Sequence, residues 1–177
     1  MTKRKSARER LADGRQPHIV DRIPPGAPGY REANGGRMVV SSPSEVDDLV
    51  RRLHPGELIT LGDLRAALAR RHAVAVACPV STAIFLNISA RAAEEARALG
   101  ENLDQLTPWW RVLSTGGFLN PRFPGGVDLQ AVRLAAEGVK TSSLKGGPAV
   151  LNFEQHRPED PLEARPTETR APDGIHR

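Results

Sequence analysis

Cysteine is almost missing from this sequence. Cys78 stands alone, which excludes an internal disulfide and any cysteine-rich metal site and agrees with a reducing compartment. Aromatic residues are scarce at 4%, and with 39% hydrophobic residues in 177 the chain has material for one modest core and not for two. No apolar run approaches the roughly 18 residues that a membrane span needs. Met1-Thr2-Lys3-Arg4-Lys5 is basic but lacks the apolar stretch of a signal peptide. A cytoplasmic protein with no membrane partner is therefore expected. The histidines, His18, His54, His72, His156 and His176, show no metal-ligand spacing. Gly125-Gly126 and Gly146-Gly147 lack a phosphate-loop lysine and read as turns, so no cofactor is expected.

What is present divides the chain in three. Residues 1–41 are rich in charge, Pro and Gly around Ile23-Pro24-Pro25-Gly26 and read as a disordered basic arm. Residues 158–177, punctuated by Pro158, Pro161, Pro166 and Pro172, read as a disordered tail. The folded unit, residues 42–157, opens on a strong helix signal. Ser42 is the N-cap, Pro43 the first helical residue and Glu45 the third after the cap, with Val46, Leu49, Val50 and Leu53 on one face. His54-Pro55-Gly56 stops it. Thr60 with Asp63 then caps a short helix carrying Leu61, Leu64 and Leu68.

Pro79 begins a long helical run to about Leu99, with Val80, Ile84 and Ile88 spaced by four. These two helices form a helix-turn-helix candidate. Val112-Leu113, a turn at Gly116-Gly117 and Phe118-Leu119 suggest a hairpin or wing. A last helix from about Asp128 to Glu137 is expected to bury Val132, Leu134 and Ala135 and to stop at Gly138. Val150-Leu151-Asn152-Phe153 adds a final extended segment. The formal net charge of +4 favours a polyanionic partner only weakly.

The motif that points furthest is Pro108-Trp109-Trp110-Arg111-Val112, followed by Ser114-Thr115-Gly116-Gly117, then Phe123-Pro124-Gly125-Gly126-Val127-Asp128-Leu129-Gln130 and Glu137-Gly138-Val139. Taken with Pro55-Gly56-Glu57-Leu58-Ile59-Thr60-Leu61-Gly62-Asp63-Leu64 and the Pro79 helix, this order resembles the DNA-binding domain of the O6-alkylguanine DNA alkyltransferase family. The family's catalytic stretch reads Pro-Cys-His-Arg-Val. The resemblance implies a fold that is mainly α with a small β wing, a winged helix-turn-helix, with double-stranded DNA as partner.

In that family a cysteine accepts the alkyl group, a histidine takes its proton and a glutamate orients the histidine. Here Trp109 stands for the cysteine, Trp110 for the histidine, and only Glu137 is kept, as a structural remnant. An indole cannot act as a thiolate nucleophile, so no enzyme is expected. Alkyltransferase-like proteins also carry tryptophan at the nucleophile position; they bind alkylated guanine without repairing it and mark it for repair proteins. The resemblance thus assigns DNA and base contacts to Thr60, Leu61, Ser81, Thr82, Ala83, Trp109, Trp110, Arg111 and Ser114. Leu61 replaces the family's tyrosine, and Thr82 or Ala83 falls where the family has an arginine that fills the stack left by a flipped base.

Alternatives stand beside this reading. Trp109 and Trp110 either stack on an extruded base or fill a vestigial pocket as core. With a closed pocket the domain becomes a winged-helix module for undamaged DNA or a protein partner. Cys78, just before Pro79, is either a displaced nucleophile or a small buried side chain.

Overall fold

The computed structural model describes residues 4–166. Helix α1 (Ala7–Leu11) starts on a capping box in which Ser6 and Glu9 satisfy each other's backbone N–H groups. Strand β1 (His18–Val20), the short helix α2 (Tyr30–Ala33) and strand β2 (Met38–Val40) follow. Helix α3 (Pro43–Arg51) begins as its sequence dictates, Ser42 Oγ accepting from the Glu45 N–H with Pro43 in the first turn. Strand β3 (Ile59–Thr60) leads into α4 (Leu61–Arg71) through the Thr60–Asp63 capping box. Residues 72–78 contain β4 (Val76–Ala77) and reach α5 (Pro79–Ala98). A helical turn at Trp109–Arg111 precedes β5 (Val112–Leu113), and α6 (Gly126–Ala136), β6 (Ser142–Leu144) and β7 (Gly147–Ala149) complete the named elements.

The strands are short and form three small sheets among the described residues. In one, β2 pairs antiparallel with β1 (His18 opposite Val40) and parallel with β4 (Met38 opposite Val76). In another, β3 and β5 pair in parallel, Ile59 opposite Val112. The third is the β6–β7 hairpin. The core lies between α3, α4, α5 and α6. Val46, Leu49, Val50 and Leu53 from α3 and its end meet Leu64 and Leu68 of α4 and Phe85, Leu86 and Ile88 of α5 there. Burying a large aliphatic or aromatic side chain is worth about 1.5–3 kcal/mol, so this face explains why α3 forms where its caps allow. A satellite cluster of Ile23, Met38 and Val76, with Tyr30 and Cys78 packed on it, covers the start of α5.

Several sequence expectations are corrected. The segment expected to be a disordered arm is folded onto the domain. The Glu95 carboxylate of α5 accepts from the Ala7 and Arg8 N–H groups at 2.9 and 3.0 Å, Arg8 pairs with Glu101, and Ile23 is buried. Local composition predicted disorder because the arm has little core of its own; it docks on α5 and, through β2, on β4. The expected disordered tail also docks through residue 166. Leu162 is buried, Arg52 donates to the Leu162 and Arg165 carbonyls, Arg165 pairs with Glu57 at 2.7 Å and Arg70 pairs with Glu163. Residues 1–3 and 167–177, with Lys3, Pro172 and His176, lie outside the described residues.

The expected wing does not form from Val112-Leu113 and Phe118-Leu119. Val112–Leu113 pairs instead with β3, and the Ser114 N–H donates to the Phe118 carbonyl across a tight turn. Phe118 bridges to Ala149, so the hairpin of this end is β6–β7. In α6 only Leu134 of the three expected core residues is buried; Val132 and Ala135 face solvent and Gln130 takes an interior position. The expected final extended segment is a turn: Asn152 is left-handed (φ 56°) and Phe153–His156 coils into a helical turn.

Candidate nucleic-acid interface and the tryptophan-filled pocket

Trp109 and Trp110 sit on the turn between α5 and β5, and the backbone on either side is held by one side chain. Gln130, fully buried on α6, donates through Nε2 to the Trp110 and Val112 carbonyls, both at 3.1 Å, and its Oε1 accepts from the Asn120 N–H at 2.7 Å. A buried amide with its groups satisfied on three backbone positions locks the course of the chain there. The parallel β3–β5 ladder adds a second tie, joining Thr60 at the cap of α4 to Leu113.

Both indoles point inward. Trp109 is 0% exposed and Trp110 3%. Their rings meet edge to face at 5.9 Å, and Phe123 lies 5.1 Å from Trp109, separations that favour aromatic packing. Trp109 Nε1 donates to Glu94 Oε1 at 3.2 Å, and the same carboxylate is paired with Arg133 at 3.0 Å. Trp110 Nε1 donates to Glu137 Oε1 at 2.8 Å. The Arg111 and Arg133 guanidinium groups flank the Trp110 ring at 5.6 and 5.4 Å. Of the two roles open to Trp109 and Trp110, the structure has the rings in the core: both are buried and each indole N–H is satisfied inside the fold.

Glu137 is the anchor of this cluster. Its carboxylate accepts from Arg111 Nε and Nη2 (3.0 and 2.7 Å), from Trp110 Nε1 and from the Gly56 N–H (3.0 Å). Arg111 is buried and spends its remaining Nη1 on the Leu53 carbonyl at 2.5 Å. Every contact given for its guanidinium is internal. Burial pushes the Glu137 carboxyl up, but the hydrogen bonds from Arg111, Gly56 and Trp110 outweigh it and hold the group below the usual carboxylate range. A carboxylate so held is a poor proton acceptor, and its lone pairs are already in use.

The other sequence-predicted positions divide by burial. Thr60 is buried and its hydroxyl is committed to the α4 cap, accepting from the Asp63 N–H and donating to Asp63 Oδ2 at 2.7 Å. Thr82 is fully buried with Oγ1 donating to the Cys78 carbonyl at 2.8 Å. Leu61, Ser81, Ala83 and Ser114 are half-buried at the ends of their elements. Cys78 is half-buried against the satellite cluster, with no base among its neighbours there.

Sequence reasoning missed two kinds of residue. Glu94, which no motif marks, is the partner of Trp109 and Arg133. Of Val80, Ile84 and Ile88, spaced by four along the helix, the first two are 50% and 48% exposed and Ile88 is buried. The signal was present on the opposite side of α5, where Ser89, Ala92, Ala93 and Ala96 continue the face of Phe85. Small residues at that spacing let a helix pack closely and mark its inner side.

No protein-family model and no curated protein matches the sequence. Among solved structures, S. pombe Atl1 in complex with damaged DNA containing O6-carboxymethylguanine aligns over 67% of this chain and 94% of that chain, at 20% identity and a TM-score of 0.45.

Positions 109 and 110, where the resemblance puts a thiol and its base, carry indoles. Among the described residues, no group of three or more His, Cys, Asp or Glu side chains could hold a metal ion. The accessible chemistry lies instead along the outer side of α5, where Val80, Ile84, Asn87 and Arg91 face outward or lie at the surface.

Proposed function

We propose that this chain is a non-catalytic, alkyltransferase-like protein that binds duplex DNA with its former reaction pocket filled by its own tryptophans. The observation that carries the reading is the closure at Trp109 and Trp110. Where the resemblance puts a thiol and its base, two indoles are packed and hydrogen-bonded to Glu94 and Glu137, and nothing there can accept an alkyl group. The motif order around the pocket supports DNA as the partner, and the outward face of α5 supplies a surface for it.

Two forms of this reading differ in what the pocket does. In the form the burial of Trp109 favours, DNA is bound without extruding a base, because ring and pocket are already occupied. In the other, supported by tryptophan at the nucleophile position, the indoles move aside on a lesion and the protein marks alkylated guanine for a repair-protein partner. Base extrusion costs a few kcal/mol, and opening this cluster adds the loss of its internal hydrogen bonds.

Fluorescence anisotropy tests both. Matched duplexes carrying guanine or O6-methylguanine at one position are titrated at several salt concentrations. Equal affinities with a clear salt slope establish the closed-pocket form; tighter lesion binding that Trp109→Ala abolishes establishes lesion marking. No binding to either duplex even at low salt would overturn the proposal and leave a protein partner.

A further inference from the structure

The N-terminal arm is seated on α5, and its charges are not balanced there. It runs antiparallel to the helix. The Ala7 and Arg8 N–H groups meet the Glu95 carboxylate near the far end of α5, the Arg15 guanidinium lies 5.7 Å from the ring of Phe85, and β1 pairs with β2, which pairs with β4 just ahead of Pro79. The ten helical residues between Phe85 and Glu95 put these two contacts about 15 Å apart along the axis. Glu95 stands one turn beyond Arg91, so the arm borders the outward face to which Ile84 and Arg91 belong and leaves both exposed.

Between Arg4 and Gln16 the charges are unequally spent. The acids are used on the arm's own backbone, Glu9 Oε2 accepting from the Ser6 N–H at 2.7 Å and Asp13 Oδ1 from the Arg15 N–H at 3.0 Å. Among the cations, Arg8 pairs with Glu101 at 3.0 Å, whereas Arg4, Lys5, Arg10 and Arg15 are exposed with no carboxylate at ion-pair distance among the described residues. A solvated basic tail would have the same composition. This one is ordered before any partner arrives, so its backbone carries no ordering cost at binding.

A strand of B-DNA presents a phosphate about every 3.4 Å along the axis, so a strip of about 15 Å faces about four of them. Cations held in such a strip contribute affinity and register without reading sequence. We propose that residues 4–16 form a rail for one phosphate strand of duplex DNA, with Lys5, Arg10 and Arg15 as its contacts and Glu95 as the seat that keeps them in line. The rail rests on the DNA-binding reading above and adds to it an element separate from both the pocket and the exposed side chains of α5.

The test uses the full chain and an undamaged duplex, titrated by fluorescence anisotropy between about 50 and 200 mM salt. Lys5→Gln, Arg10→Gln and Arg15→Gln combined are expected to lower the slope of log affinity against log salt by about 2.7, so that over this range the wild type loses about 40-fold more affinity than the variant. Glu95→Ala separates a rail from charge alone. It removes a negative charge, so an unlocalised excess of positive charge predicts tighter binding. Loss of the seat predicts weaker binding than wild type, together with faster amide hydrogen exchange at Ala7–Leu11. Unchanged tryptophan emission checks each fold.

A triple variant with the wild-type slope, or a Glu95→Ala protein that binds as tightly as wild type, overturns the rail and leaves DNA binding standing. Unchanged exchange at Ala7–Leu11 in Glu95→Ala removes the seat and overturns it as well. Loss of binding to phosphatidylserine vesicles in the triple variant, with its slope on duplex unchanged, overturns it in favour of a membrane surface. Absence of duplex binding by the wild type overturns both proposals.

Discussion

Removal of the Glu137 carboxylate is the sharpest test of the closed pocket. In Glu137→Ala the Arg111 guanidinium stays buried with only the Leu53 carbonyl as acceptor, and the Trp110 Nε1–H and the Gly56 N–H lose their partner. Breaking a buried ion pair from one side costs about 3–5 kcal/mol, because the remaining charge is left uncompensated. The Glu137 side chain is 12% exposed, so water can reach part of the vacated space and the lower end, about 3 kcal/mol, is expected. With a urea dependence of about 2 kcal/mol per molar, the midpoint of unfolding should fall by about 1.5 M. Glu137→Gln keeps an acceptor for Trp110 and should lose about half as much. The assay is urea unfolding followed by tryptophan emission, which reports directly on the cluster. A midpoint within about 0.3 M of wild type for Glu137→Ala, equivalent to under 1 kcal/mol, would refute the argument that this carboxylate holds the indoles in place.

Stability should also depend on pH through the same group. The folded Glu137 carboxyl lies below its ordinary value of 4.5, so its contribution is fully present above that pH and is lost as pH falls through the lower folded value; Glu57 and Glu163, held down by Arg165 and Arg70, act in the same direction. Urea midpoints should be level from neutral pH to about 5 and drop below 4.5, less steeply in Glu137→Gln. Gly117→Ala should cost about 2–4 kcal/mol in the same assay, since φ is +81° and a Cβ would stand 2.6 Å from the Phe153 ring and 2.7 Å from the Val150 carbonyl. Acrylamide should quench the native tryptophans weakly and the urea-unfolded ones strongly, since Trp109 and Trp110 are the chain's two tryptophans and both are buried. A rise in quenching on O6-methylguanine duplex, and not on plain duplex, would mark an opening of the pocket.

How far the sequence could be read depended on whether the deciding forces were local. Ser42 with Pro43, and Thr60 with Asp63, set helix starts through contacts within three residues, although only Thr60–Asp63 closes a full capping box, the Glu45 carboxylate pairing instead with His72. The buried face of α3 is equally local, since one helical period aligns Val46, Leu49 and Val50. The arm is a different case: its order comes from Glu95, far along the chain, accepting from Ala7 and Arg8. The wing failed because Val112-Leu113 has two competing partners, and the distant Ile59–Thr60 is the one it takes. Along α5 a spacing of four recurs on two faces, and the alanines, more than the aliphatics, mark the packed one. At the candidate site, two indoles at the positions where the resemblance puts a thiol and an imidazole were legible residue by residue. The inward direction of both indoles was not, because it depends on Glu94, Phe123 and Arg133, which no short motif connects to them.

Gln130 leads to a conclusion about engineering. Because its amide grips the main chain at Trp110 and Val112, the path of this turn is set independently of what the side chains at 109 and 110 are. The scaffold is thus indifferent to its own chemistry, and exchanging the side chains would alter the contents of the site without moving its walls. Trp109→Cys would nevertheless restore no acceptor: the thiol would sit in an interior void beside the Glu94 carboxylate, which disfavours a thiolate. The space vacated by the indole, bounded by Phe123 and Trp110 and open on the Glu94 carboxylate that has lost its indole partner, would take up water.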